Sequence, residues 1–461
     1  MSRSSKRLYA NGLNDSMDAS GYESSNDTQS LLGSVTVRTN PSQVGETSVL
    51  GAMFIVVNAC IGAGLLNFPY AYQSAGGIAV SAIIQVVLVC IIATTLLVLA
   101  LCSDVRQSRS YQGVIQEMCG SKARFICELC IIAYCFGTCI TFFIIIGDQM
   151  EGILAYICGG TEHLVHWYQD RRFTITCWGI LIVLPLCMPK KVDFLKYPGS
   201  VGVLASLYIC IVVIINYFQW AKTPSPDLVT EPSSWTQVFA SIPTICFGFQ
   251  CHVSIVPVYS SLHKRSLPRF TRVIIPALLI SCTAYTLSGI FGSLTFGSDV
   301  CSDILLSYHG QNITIMIARV MALANMLTTY PILHFCGRLA IETMLQSAFN
   351  KTDEEWVLRE KRRRVIETVT WFCISLLLAL FIPDIGVVIS VIGGLAAVFI
   401  FVFPGLCLVQ FVLQHSAASR RKKWCLITFG GFLLALGVFI FSESFVLAIM
   451  NDISGVTKSG C

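Results

Sequence analysis

Two short stretches combine residues able to hold a small charged solute within an apolar chain. The first, Asn58-Ala-Cys-Ile-Gly-Ala-Gly-Leu-Leu-Asn-Phe-Pro69, sets two glycines and a proline in a long apolar run. The second, Pro243-Thr-Ile-Cys-Phe-Gly-Phe-Gln-Cys-His-Val-Ser-Ile-Val-Pro257, repeats the theme with Gly248, a Gln-Cys-His cluster and flanking prolines. An unpaired backbone group in hydrocarbon costs several kcal/mol, so non-helical backbone persists at membrane depth only where it lines a cavity or is covered by protein. A break in the first stretch would free the amides of Gly62, Ala63 and Gly64, which, with the positive end of the helix that follows, favour a carboxylate. Carbonyls on the other side of the break, near Val57 and Cys60, direct partial negative charge at a cation, and a hard ion such as sodium suits oxygen ligands. The second stretch puts Phe247, Gly248 and His252 forward as further lining for the solute. Glycines also let helices pack closely, which would explain either stretch alone.

The elements that must position these residues are membrane helices. The chain has 461 residues, is 54% hydrophobic and 12% charged, and has a mean hydropathy of +0.71; this is too apolar and charge-poor for a soluble globular protein. No charged residue occurs from Thr47 to Ser103, and one span needs only about 20 residues, so this run holds two spans with a turn at 73–77. Apolar runs predict eleven spans, near 48–72, 77–102, 128–148, 174–188, 198–220, 236–259, 272–297, 313–337, 366–383, 385–412 and 425–450. Residues 1–47 are polar and Ser/Asn-rich and read as a disordered tail. With that tail cytosolic, 26 of the 31 basic residues fall on the cytosolic side, as the positive-inside rule expects, and the short C-terminus 451–461 is non-cytosolic. The cluster Lys361-Arg-Arg-Arg364 is then a topology determinant facing anionic lipid rather than a nucleic-acid patch.

Spans one to five occupy 48–220 and spans six to ten 236–412, so the two interruptions open two halves of nearly equal length, with an eleventh span at 425–450. Five is odd, so the halves must cross in opposite senses. An inverted repeat in which each half opens on a discontinuous helix is the best sequence pointer to a transporter site at the bilayer midplane.

Asn58-Ala-x-x-Gly-x-Gly64, Cys251-His252 followed by Pro257-Val-Tyr259, and Thr329-Tyr-Pro331 resemble the sodium-coupled neutral amino acid transporters (solute carrier family 38) of the amino acid/auxin permease superfamily, from about Ser48 to the last span. Within that family the segments 243–252 and 381–386 resemble a lysosomal carrier of glutamine and asparagine. The resemblance implies an all-α polytopic fold similar to that of the bacterial leucine transporter, a 5+5 inverted repeat with discontinuous helices one and six, and sodium held between spans one and eight. It implies a side-chain oxygen from Asn58 and a hydroxyl from Thr329 at the sodium, with the neighbouring Thr328 as the alternative. The chain departs from several relatives at Val253 and Ser261, where they carry Pro and Glu.

Other residues allow narrower readings. Arg319 lies near the start of span eight, where its side chain is expected to snorkel to the surface. His252 and His334 are candidates for sensing protons, with a hydrogen-bonded core role the stronger reading for His334. Glu128, Asp148 and Glu443 fall near span ends and read as solvated interfacial carboxylates. Most of the 21 cysteines are small buried hydrophobes, although Cys158 and Cys301 share the non-cytosolic side and so are placed for pairing. Asn312-Ile-Thr314 is a glycosylation acceptor on the same side. In the tail, Asp27, Leu31 and Leu32 form an acidic dileucine pattern of the kind read by clathrin adaptors, which points to the lysosomal membrane, with the plasma membrane as the alternative. No nucleophile elbow, phosphate loop, zinc pattern or pore filter is visible, so enzyme, cofactor and channel readings recede. The sequence thus predicts a secondary carrier of a neutral amino acid, glutamine or asparagine, moving from lumen to cytosol with sodium as co-substrate and a pH-dependent step. A transceptor signalling through its tail and a purely proton-coupled carrier are the rival readings.

Overall fold

The structure is a computed structural model that describes residues 47–159, 166–190, 198–220, 227–234, 237–308, 312–349, 360–382, 384–415 and 420–453. The tail with Asp27, Leu31 and Leu32, and the end of the C-terminus, lie outside the described residues. The described chain is helical, with one isolated bridge, Thr47 to Leu262, in place of any strand.

Among the described residues nine helices are long and apolar enough to cross a membrane, and a bent pair, Val49–Cys60 with Ala63–Ser74, makes a tenth. We number the helices α1 (Val49–Cys60), α2 (Phe68–Ser74), α3 (Ile78–Arg106), α4 (Tyr111–Cys119), α5 (Ser121–Cys158), α6 (Arg171–Trp178), α7 (Leu184–Cys187), α8 (Pro198–Trp220), α9 (Ile242–Gly248), α10 (His252–Ser261), α11 (Leu267–Phe296), α12 (Ile313–Phe349), α13 (Glu360–Phe381), α14 (Ile385–Ala397), α15 (Phe403–His415) and α16 (Arg420–Ile453). The short fourth span of the sequence reading is α6 and α7, joined without a gap by a π-turn at Gly179–Val183.

Local chemistry explains where these helices stop. Ser48 caps α1, its hydroxyl accepting the Gly51 amide at 3.1 Å. At the foot of α2 the chain turns through Gly76 and Gly77 at φ 94° and 106°, where a Cβ on Gly77 would sit 2.3 Å from the Val229 carbonyl. Only glycine supplies both the left-handed backbone and the clearance. A proline in the first turn starts α9, and Gly248 ends it.

Both expected interruptions are present. Between α1 and α2 the chain is extended at Ile61, then forms a 3₁₀ turn at Ala63–Asn67, with a bend of 47°. Between α9 and α10, residues 249–251 leave the helix. Around this pair, α5 packs along α12, and α9 packs on α14 so closely that a Cβ on Gly393 would lie 2.0 Å from the Pro243 carbonyl.

Candidate functional site

The two breaks meet face to face. A Cβ built on Gly64 would lie 3.1 Å from the Gly248 α-carbon, so a side chain at either glycine would push the broken helices apart. One hydroxyl joins the carbonyl ends of both: Tyr285 of α11 donates to the Cys60 carbonyl at 2.7 Å and shares that proton with the Gly248 carbonyl at 3.0 Å. Its ring stacks on Phe68 with centroids 4.0 Å apart. This arrangement satisfies backbone groups that the breaks would otherwise leave bare.

Beside the breaks lies a cavity of about 210 Å³. Its wall includes Asn58, Cys60, Gly62, Ala63 and Gly64 from the first break, Phe247, Gly248 and Gln250 from the second, Tyr134 and Thr138 from α5, Gly202 from α8, and Asn325 and Thr329 from α12. It runs along α12 from Asn325 to Cys336, about 16 Å toward the end that the basic residues mark as cytosolic. Among the described residues that line it, none is Asp, Glu, Lys, Arg or His. The volume falls below the range of drug-sized sites and suits a small solute. The amides of Ala63 and Gly64, at the start of the 3₁₀ turn, have no backbone acceptor among the described residues.

Three side-chain oxygens gather at one edge. A methyl on Gly202 would lie 2.7 Å from Asn325 Oδ1 and 3.6 Å from Asn58 Oδ1, and Thr329 Oγ1 donates to Asn325 Oδ1 at 3.1 Å. Uncharged oxygens around a glycine opening are the donors a hard monovalent cation accepts. Among the described residues no three His, Cys, Asp or Glu side chains gather as a transition-metal site would require.

The remaining sequence-derived residues separate. Thr328 is absent from the cavity wall, and its hydroxyl turns back to the Ala324 and Asn325 carbonyls at 2.9 and 3.0 Å. Val57 does not line the cavity either, and its carbonyl accepts the Ile61 amide at 2.8 Å. His252 is fully buried behind the wall, with Nε2 3.0 Å from Thr95 Oγ1, so it faces α3 rather than the cavity. His334 is buried too, its ring stacked on Tyr330 and edge-on to Trp371, without the hydrogen bond expected of it among the described residues.

Several expectations are corrected near the ends of the spans. Arg319 does not snorkel: it is 7% exposed and donates to the Leu305 and Tyr308 carbonyls at 2.8 and 3.2 Å, because the segment before α12 folds over it. Asp148 is 4% exposed and paired with Arg171 at 2.7 Å, and Glu128 is buried against Arg124 at 2.8 Å, so neither carboxylate is solvated. Cys158 is a free thiol while Cys301 is disulfide-bonded, so these two do not pair. Asn312 uses its side chain to cap α12, accepting from Thr314 N at 2.9 Å and donating to Asn216 at 3.2 Å.

The sequence reading missed Tyr285, Asn325 and Gly202. They sit in continuous helices, where no break in the chain marks them as lining a site.

Comparison with known proteins gives the family of the chain. The family described as "Transmembrane amino acid transporter protein" matches residues 45–447. The zebrafish (Danio rerio) protein named sodium-coupled neutral amino acid transporter 7 is 46% identical over 412 residues, 89% of either chain. The human protein of the same name gives the same identity and coverage. Human solute carrier family 38 member 8 is 36% identical over 89% of this chain and 96% of its own. Among solved structures, MhsT in complex with L-phenylalanine aligns over 88% of this chain and all of that one, at 15% identity and a TM-score of 0.49. By the family match and these relatives, the chain belongs to the transmembrane amino acid transporter family, and is a multi-pass membrane carrier and not an enzyme.

Proposed function

We propose that this chain is a sodium-coupled symporter of small neutral amino acids, of the glutamine and asparagine class, that exports them from the lysosomal lumen to the cytosol. The observation that carries the proposal is the uncharged cavity between two touching helix breaks. With no charged side chain on its wall, the cavity matches a solute whose side chain is neutral and whose own carboxylate and ammonium are met by backbone ends. The amides of Ala63 and Gly64 would receive the carboxylate, while Asn58, Asn325 and Thr329 offer oxygens to a sodium ion at the adjoining edge. Gln250, Ser254 and Thr138 supply hydrogen-bonding groups for a carboxamide side chain. The names of the zebrafish and human relatives support both the neutral substrate and the sodium. Rocking of the broken helices against α5 and α12 would carry the solute across.

Ligands that bind only the folded state raise its stability by mass action. Thermal unfolding of the detergent-solubilised chain should therefore shift upward with glutamine in sodium buffer and much less with glutamine in choline buffer. Equal shifts in the two buffers would overturn sodium coupling.

One contact favours an additional output through the tail. Thr47, where the described chain begins, donates its amide to the Ser261 carbonyl at 3.1 Å and accepts the His263 amide at 3.0 Å. The base of the tail is thereby tied to the end of the second broken helix. Tail-dependent capture of a cytosolic partner that changes with glutamine, and persists when transport is abolished, would establish that output.

A further inference from the structure

We infer that Asp303 and Arg319 latch the segment 300–308 across the non-cytosolic mouth of the cavity, and that opening to that side requires the latch to let go. This rests on reading the cavity as the transport site. The segment is bonded to both moving parts of such a carrier. Toward the broken helices, the Ile304 amide donates to the Leu66 carbonyl at 3.0 Å and Asn67 Nδ2 donates to the Ser302 carbonyl at 2.8 Å, while Asn67 Oδ1 accepts the Thr244 hydroxyl of α9 at 2.9 Å. Toward α5 and α12, Gln149 Nε2 donates to Asp303 Oδ2 at 2.6 Å, and Arg319 holds the Leu305 and Tyr308 carbonyls. The other Asp303 oxygen accepts the Leu305 amide at 2.9 Å, which fixes the local turn.

The latch is built into the fold rather than laid upon it. Asp303, Ile304 and Leu305 are fully buried. A Cβ on Gly152 would lie 1.5 Å from Arg319 Nη1, so the glycine in α5 is what admits the guanidinium. Charged groups from the surrounding elements face this pair: Asp148 and Glu151 from α5, and Arg171 from α6, itself paired with Asp148. Motion of the broken helices away from α5 and α12 must rupture one set of these bonds before the cavity meets the non-cytosolic solvent. A charge-assisted bond is about twice as strong as a neutral one, so the Asp303 set decides how often that happens.

The test uses the full chain in oriented membranes, with a membrane-impermeant thiosulfonate added to one face at a time. Adducts on the cavity cysteines Cys60, Cys135 and Cys336 are read by mass spectrometry. Asp303→Asn should speed labelling from the non-cytosolic face about tenfold and slow it from the cytosolic face. Gln149→Ala removes the same bond from the other partner and keeps the test open should Asp303→Asn fail to fold. Labelling that rises equally from both faces, or stays at the wild-type rate in both variants, would overturn the latch. The readout needs no substrate, so a wrong assignment of the transported solute leaves it intact.

Discussion

Replacing Tyr285 with Phe removes one oxygen and little else. The ring keeps its stack on Phe68 at 4.0 Å, whereas the Cys60 and Gly248 carbonyls lose a donor at 2.7 and 3.0 Å. The two carbonyls share one proton, and a hydrogen bond worth about 1 kcal/mol corresponds to about a fivefold change in an equilibrium. Side-chain hydrogen bonds in one membrane protein average nearer 0.6 kcal/mol, which gives about threefold. If the hydroxyl holds the breaks in the apposed geometry that binds substrate, the half-saturating concentration for glutamine uptake should rise about three- to fivefold. The assay is the substrate dependence of sodium-driven uptake into proteoliposomes, with thermal unfolding measured in parallel. A lowered melting temperature with substrate and sodium dependence both within about twofold of wild type would refute the reasoning, because the hydroxyl would then brace the fold without shaping the site.

Gly202→Ala places a methyl 2.7 Å from Asn325 Oδ1, so the oxygen must move, and the half-saturating sodium concentration should rise about 10- to 100-fold with flux recovering at high sodium; a sodium titration of uptake checks this. Thr328→Ala, which loses only bonds to its own helix, should leave the same titration within about twofold of wild type.

The breaks were legible because a membrane helix tolerates few interruptions, and glycine and proline at 58–69 and 243–257 announce them without any tertiary information. What surrounds the breaks was not. Asn325 and Thr329 lie four residues apart on one face of a continuous helix, and sequence alone could not tell whether Thr328 or Thr329 faced inward; packing against α5 and α8 sets that rotation. Tyr285 looks like any apolar-run tyrosine until α11 is laid against both breaks. Arg319 was misjudged for a related reason: its distance from the span's end is local, but the loop that covers it bonds to α5 and to the first broken helix, more than 150 and 230 residues away. His252, beside a break in sequence, is turned toward Thr95 because the chain leaves the helix just before it and re-enters with its ring against α3. Periodicity and composition thus located the helices and their flaws, while the direction each side chain takes emerged only from packing.

The central claim is that an uncharged cavity couples a neutral amino acid to sodium held at Asn58, Asn325 and Thr329. Its most direct test is uptake of labelled glutamine into proteoliposomes with sodium and pH gradients imposed separately, for wild type and Thr329→Ala. The account predicts accumulation driven by the sodium gradient alone in the wild type and lost in the variant. Accumulation driven by the pH gradient alone, and unchanged in Thr329→Ala, would contradict it.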